Sequence, residues 1–311
     1  MVTNHRLPRR VFLGRTVAGL AAVGTGAVLL GCDSLGIMTR SAAAAPAQVP
    51  ETSTTPTPTP ATPRPVPAEA RFERALQPGT PWETMAQIWH SGRQGSTVLV
   101  LGGVHGNEQS GWLAAEELLS WEPTFGSLLV VPRANVLSTR VMVRTLPELG
   151  DLNRSYPGNP DGMPMERMAA SIIDLAREFQ ADVLLDMHES WVFFVERTQN
   201  GTAFLGQTIS SGQGPGDGQL AQDIAARVNA GITVQRDLMQ TRNSNTIGQG
   251  QPSATPNPNQ GRSTSSLGIG RYVPGLTPLL VEMGQVDQPV ARRTELHLMV
   301  AHATLNRQGI L

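Results

Sequence analysis

Four polar stations stand out along the chain: His105 with Glu108, Asp151-Leu152-Asn153-Arg154, Asp186-Met187-His188, and Glu282. A His and a carboxylate three residues apart, joined by one distant His, supply three nitrogen and oxygen ligands and leave a fourth position for water. That is the arrangement of a catalytic rather than a structural zinc. The single cysteine, Cys32, excludes a Cys-rich metal site and an internal disulfide framework, so a transition metal must rest on His and carboxylates.

Each station also has a plainer reading. With six histidines in the chain, one His-x-x-Glu arises readily by chance. His188 closes the run Asp182-Val183-Leu184-Leu185-Asp186-Met187, and the plain alternative is a loop histidine with satisfied hydrogen bonds. Glu282 ends Leu279-Leu280-Val281 and precedes Met283-Gly284 rather than a polar turn. A buried carboxylate is costly unless paired or used; beside a metal, it is placed to take a proton from water and pass it to a leaving amine. The alternative is a solvent-facing Glu on a half-buried strand. Arg154 offers a fork that matches a carboxylate in two parallel hydrogen bonds, and Asn153 adds a donor. Asp151 is suited to hold a ligand histidine in one tautomer, although the quartet also reads as a polar turn into Tyr156-Pro157-Gly158.

The elements that must position these residues are an α/β set. Val98-Leu99-Val100-Leu101, Leu128-Leu129-Val130-Val131, Val183-Leu184-Leu185 and Leu279-Leu280-Val281 read as strands buried on both faces. Met168, Ile172, Leu175, Ala176 and Phe179 recur at helical spacing after Pro164, a favoured first-turn residue. Residues 217–230 and 289–307 repeat the pattern, and Glu108 opens a helix carrying Trp112, Ala115 and Leu119. The alternation predicts a mixed, mostly parallel central sheet with helices on both faces. His105, His188 and Glu282 then fall at strand carboxyl ends, where such sheets bind ligands. Residues 240–270, rich in Ser, Asn, Gly, Gln and Pro, read as a surface excursion beside the site. His90, His297 and His302 fall outside the cluster. Trp191, Phe193 and Phe194 read as packing residues, and Glu189 as either a support for His188 or a solvated neighbour.

Residues 1–32 read as an address. Pro8-Arg9-Arg10-Val11-Phe12-Leu13-Gly14 resembles a twin-arginine export motif, and Leu29-Leu30-Gly31-Cys32 resembles a bacterial lipobox with Cys32 at the lipidation position. The alternative is a signal anchor with an incidental Cys. Residues 33–69 are Pro-, Thr- and Ala-rich, a disordered, semi-stiff linker, which leaves 70–311 as the hydrolase domain. A formal charge of −1 and no basic run longer than an Arg pair exclude a nucleic-acid surface.

Gly103-Val104-His105-Gly106-Asn107-Glu108, Asp151 through Gly158, Ala181-Asp182 through His188, and Val281-Glu282-Met283-Gly284 together resemble the zinc carboxypeptidase superfamily, and more closely its succinylglutamate desuccinylase/aspartoacylase branch. The resemblance spans residues 97–284 in the family's order. It implies one Zn2+ per chain on His105, Glu108 and His188, with Glu282 as general base and acid. It also implies a substrate carboxylate on Asn153 and Arg154, and an upstream Arg that polarises the scissile carbonyl, Arg144 or its rival Arg140. Two features depart from the pattern. Neither Tyr156 nor Tyr272 stands where the peptide-cleaving members carry a mobile Tyr, which leans toward amide deacylation. Members of the branch carry a β-rich domain after the catalytic Glu, whereas this sequence ends at Leu311. The expected activity is that of an extracytoplasmic, lipid-anchored, zinc-dependent amide hydrolase. Its expected partners are the membrane and an N-acyl amino acid or peptide with a free carboxylate. A carboxypeptidase or cell-wall amidase of the same fold, and an inactive envelope binding protein, are the alternatives.

Overall fold

Aliphatic runs without a polar face can bury all their side chains only between two layers, and four such runs form the centre of one sheet. The computed structural model describes residues 65–199, 201–243 and 264–311. Among them the strands are β1 (Ala70–Leu76), β2 (Thr84–His90), β3 (Thr97–Leu101), β4 (Ser127–Val131), β5 (Val183–Ser190), β6 (Thr208–Ser211), β7 (Gln240–Asn243) and β8 (Thr277–Gly284). They lie in the order β1-β2-β4-β3-β5-β8-β6-β7. The middle four, β4-β3-β5-β8, are parallel. β1 and β2 form an antiparallel pair on one edge, and β6 runs antiparallel to β8.

Helices cover both faces, as the alternation of strands and amphipathic segments predicts. α1 (Gln109–Leu118), α4 (Asp217–Asn229) and α5 (Val290–Arg307) pack with Val98, Val100, Leu185 and Val281 on one face. On the other, α3 (Pro164–Glu178) packs with Leu99, Leu101 and Leu184. A short helix, α2 (Val136–Val141), begins at Asn135, whose side chain accepts from the Ser138 N–H, a regular helix-start contact. The second face turns from apolar to polar along β5, as Leu184 is followed two and four residues on by Asp186 and His188. Parallel pairing sets Asp186 beside Leu280 and His188 beside Glu282.

The strands outrun their apolar cores. His188 and Glu282 therefore sit inside β5 and β8 rather than just past them, because backbone pairing continues wherever a neighbouring strand offers partners. The surface reading of 240–270 is also corrected at both ends: Gln240–Asn243 is β7, paired to β6, and Ser266–Arg271 is a 3-10 turn with Ser266, Leu267, Gly268 and Ile269 buried. Residues 244–263 lie outside the described residues. So do the address segment with Cys32 and most of the linker, of which residues 65–69 are exposed. Among the described residues no helix is long and apolar enough to cross a membrane.

Two glycines set the distance between site elements. A Cβ on Gly106 would lie 2.0 Å from the Ser138 carbonyl oxygen of α2, and one on Gly111 would lie 2.4 Å from the Met187 carbonyl oxygen of β5. Because Gly111 presses the helix that follows Glu108 onto the strand that carries His188, Gly111→Ala must push the two apart. A cost of roughly 2 kcal/mol, or about 4–8 °C in Tm, is expected in calorimetry of the full chain. An unchanged Tm would show that the contact is not tight.

Candidate active site

The loop after β3 is held by backbone bonds at the end of β4: Gly102 N–H donates to the Val131 carbonyl, and the Ala134 and Asn135 N–H groups donate to the carbonyls of Gly102 and Gly103. Gly103 takes a positive φ of 63°, which a side chain would resist. This turn delivers His105. Glu108 follows as the residue before α1, and its carboxylate makes no capping bond to that helix. Freed from the helix, it turns inward between two histidines.

His105 Nδ1 lies 2.7 Å from Glu108 Oε1, and His188 Nδ1 lies 2.7 Å from Glu108 Oε2. The two Nδ1 atoms face each other at 3.1 Å. All three side chains are buried, and they form a group able to hold a metal ion, with the ligand atoms all within 4.8 Å of one another. The outer ring nitrogens point away from that centre: His105 Nε2 donates to Asp151 Oδ1 at 3.1 Å, and His188 Nε2 to Asp186 Oδ2 at 3.0 Å. Carboxylates behind both rings keep the proton on Nε2 and turn the Nδ1 lone pairs inward. The donor set therefore fits zinc: two imidazole nitrogens and a carboxylate, each ring steadied from behind.

Electrostatics follow from burial and pairing. Burial pushes the His105 pKa down, but Glu108 and Asp151 outweigh it and leave it raised. Burial likewise opposes His188, where Asp186 and Glu108 win and raise it well above its usual value. Burial works to raise Glu108, yet the two histidines hold it well below the carboxylate range. Glu282 behaves oppositely: burial, helped by the nearby Glu108 and Asp186 charges, lifts its pKa to about 7 against the pull of His188 and His105.

Arg144 bridges two of these groups, Nη1 to Glu108 Oε1 at 3.3 Å and Nη2 to Asp151 Oδ2 at 3.2 Å. Its rival Arg140 is exposed on α2. Asp151 starts the 3-10 turn of Leu152–Arg154, accepting from the Asn153 N–H. Asn153 is buried and accepts from the Ser266 N–H at 2.9 Å, while Arg154 is exposed. A cavity of about 290 Å³ joins His105, Glu108, Arg144, Asn153, Arg154 and Glu282, with Ser210, Leu267 and Leu280 along its wall. Three of the four stations thus line one space, and His188 of the remaining one adjoins it through its contact with Glu108.

Three site residues escaped sequence reasoning in whole or part. Asp186 backs His188, a relation readable from their i, i+2 spacing once the segment is taken as a strand. Glu189 is no solvated neighbour: buried, it accepts from the Ser110 N–H at 2.6 Å and from Gln285 Nε2 at 2.7 Å, and it pairs with Arg293 at 3.2 Å. It ties α1, α5 and the end of β8 together beneath the ligands. Trp191, read as packing, is 60% exposed and borders the outer hollow beside Arg144 and Arg154. Phe193 does pack, fully buried.

Residues 94–191 match the family model of the succinylglutamate desuccinylase/aspartoacylase catalytic domain, a span that contains every site residue above except those contributed after β5. The N-alpha-acetyl-L-2,4-diaminobutyric acid deacetylase of Halomonas elongata is 37% identical over 99 residues, which are 30% of this chain and 29% of that protein. Among solved structures, the mDAP-bound form of Csd4, a D,L-carboxypeptidase of Helicobacter pylori, is similar with a TM-score of 0.56 at 20% identity, covering 70% of this chain and 52% of that one. A succinylglutamate desuccinylase/aspartoacylase from Rhodobacter sphaeroides gives 0.52 at 18% identity, covering 81% and 69%. The match thus spans under a third of the curated relative and about half of Csd4. At these identities, the two solved structures speak for the fold alone, which is zinc carboxypeptidase-like.

The outer carboxylates have a measurable role. Asp186→Asn, which touches no inward-facing ligand atom, is expected to weaken zinc binding about 10–100-fold in a competition titration; unchanged affinity would deny Asp186 its part in orienting His188.

Proposed function

We propose that the chain, whose residues 94–191 match the succinylglutamate desuccinylase/aspartoacylase catalytic-domain model, is a zinc-dependent hydrolase of amide bonds. Its substrate is an N-acyl amino acid or peptide with a free carboxylate. The observation that carries this reading is Glu282, a buried carboxylate beside His188 across the β5–β8 pair, with its pKa lifted to about 7. It lines the same cavity as His105, Glu108, Arg144 and Arg154.

His105, Glu108 and His188 would hold the metal, which when bound lowers the pKa of water and polarises a carbonyl. Glu282 accepts the proton of the attacking water and returns it to the departing amine, a task suited to a pKa near the working pH. Arg144 stands on the cavity wall, where its guanidinium stabilises the negative charge that develops on the carbonyl oxygen. Its bonds to Glu108 and Asp151 fix it in place beforehand. Arg154 and Asn153 take the substrate carboxylate, and the Asn153 bond to Ser266 holds that side in register.

We place the enzyme outside the cytoplasm on a lipid anchor, a reading supported by the order of the twin-arginine-like motif and Cys32. Cys32→Ser is expected to move the protein from the membrane to the soluble fraction and to abolish labelling by a fatty-acid analogue. A variant that stays membrane-bound and labelled would refute the anchor.

Glu282→Gln is expected to retain zinc and lose about 10²–10⁴-fold in kcat. Since the base must be ionised and its pKa is raised rather than lowered, kcat/KM rises with pH and levels off above about 7, well above the limb of an ordinary carboxylate. Undiminished hydrolysis by the Gln variant would overturn the assignment. A panel of N-acyl amino acids, C-terminal peptides and muropeptides, assayed with and without chelator, separates deacylase from carboxypeptidase and cell-wall amidase. Ligand binding by metal-free, inactive protein would instead favour an envelope receptor.

A further inference from the structure

One buried hydroxyl near the metal ligands has no part in the proposed hydrolysis. Tyr156 comes two residues after the Asp151–Arg154 turn, and its N–H donates to the Thr264 carbonyl at 3.1 Å. The residue is 1% exposed and belongs to the core that Leu101, Leu152 and Leu184 form on the α3 face of the sheet. Asp186 stands on that same face, two residues beyond Leu184 on β5 and paired with Leu101 of β3. The phenol and the carboxylate behind His188 therefore share one side of the sheet.

Tyr156 Oη and Asp186 Oδ1 are both buried without a hydrogen-bond partner among the described residues. Such groups are rare in a folded core, and each needs an explanation. Here one is a donor and the other an acceptor, so each supplies what the other lacks. Burial raises the Tyr156 pKa well above its usual value and the Asp186 charge adds to the rise, so the phenol keeps its proton and remains a donor. The two atoms make no direct hydrogen bond. A single buried water, which needs at least two polar partners, is then the shortest link between them. The other Asp186 oxygen, Oδ2, is the one that His188 Nε2 engages at 3.0 Å. With Oδ1 unheld, the carboxylate is free to swing about its own side-chain bond and to carry that contact with it.

We propose that Tyr156 is a positioning residue for the metal centre: its hydroxyl holds Asp186 Oδ1 through one buried water and so fixes the carboxylate that orients His188. The single segment from Asp151 to Tyr156 then steadies both histidines, His105 through Asp151 Oδ1 at 3.1 Å and His188 through Tyr156 and Asp186. The inference rests on the zinc reading above for what the histidines hold, but the link from Tyr156 to Asp186 can be tested without metal or turnover.

Tyr156→Phe keeps the ring and deletes only the oxygen. In the full chain it is expected to weaken zinc about 3–10-fold in a competition titration and to lower the Tm of the metal-free protein by about 2–4 °C. Deleting an idle buried hydroxyl instead leaves zinc affinity unchanged and is neutral or stabilising. In an Asp186→Ala background, where no carboxylate remains to be held, Tyr156→Phe is expected to cost no further zinc affinity; an equal loss in both backgrounds would overturn the proposal. Tyr272→Phe leaves Tyr156 as the one tyrosine of the chain, so the tyrosine Raman doublet then reports its hydroxyl alone. That doublet is expected to show a donating hydroxyl in metal-free protein and to change on Asp186→Ala. A doublet indifferent to Asp186→Ala, or a Tyr156→Phe protein with unchanged zinc affinity and an equal or higher Tm, refutes the positioning role. An Asp186-dependent doublet in protein that takes up no zinc keeps the link and refutes the zinc reading; zinc uptake with an indifferent doublet does the reverse.

Discussion

The register between β5 and β8 is the constraint on which the site depends. Parallel pairing puts His188 next to Glu282 and Asp186 next to Leu280, and all four share the side of the sheet on which Glu282 and Leu280 line the cavity. A slip of one residue would turn Glu282 onto the α1, α4 and α5 face, among the apolar side chains that pack with Leu185 and Met187, where a carboxylate has no partner, and would turn Leu279, Val281 and Met283 the other way. The apolar residues alternating with His188 and Glu282 therefore act as register markers: their burial against α1 and α5 keeps the polar set aimed the other way.

The same burial gives two carboxylates opposite properties. Glu108 and Glu282 are both shut from solvent, yet Glu108 touches two imidazoles at 2.7 Å and stays ionised, whereas Glu282 forms no hydrogen bond or ion pair among the described residues and is lifted to about 7. Direct contact with the two imidazoles outweighs desolvation in the first case and is missing in the second. One carboxylate is thereby held ionised between the histidines, and the other is left with a pKa near neutral pH. Asp151, Asp186 and Glu108 surround two histidines and Arg144, an excess of negative groups that suits a divalent cation at their centre.

Much of this arrangement was legible in one dimension. β3, β4, β5 and β8 are aliphatic runs buried on both faces, and α1, α3, α4 and α5 follow the helical period, so the central sheet and its two helix layers could be read directly. The edges could not. β6 and β7 have four residues each, too few for a period to show, and their polar composition made Gln240–Asn243 look like a loop. β2 pairs with the edge of β4 and β1 with β2, and neither is announced by an aliphatic run. Trp191 was misread and Glu189 left open for a related reason: neither hydrophobicity nor charge tells whether a residue beside a strand end faces a cavity or a neighbouring helix. Arg144 and Arg140 differ by four positions in the same segment, and only the course of the chain after α2 decides that Arg144 reaches Glu108.

What the amino-acid order determined by itself is chemical: which residue types are present to bind a metal, to move a proton and to grip a carboxylate, and which apolar runs must be buried. Spacing of three between His105 and Glu108, and of two between Asp186 and His188, already ties each pair through local backbone geometry. Tertiary structure alone decided the contacts across long separations: Glu108 between both histidines, Asp151 behind His105 and Asn153 against Ser266. Each depends on which strands become neighbours and in what register. That choice is made by the free energy of burying the whole sheet between its helices, a sum over many apolar residues that no local motif encodes.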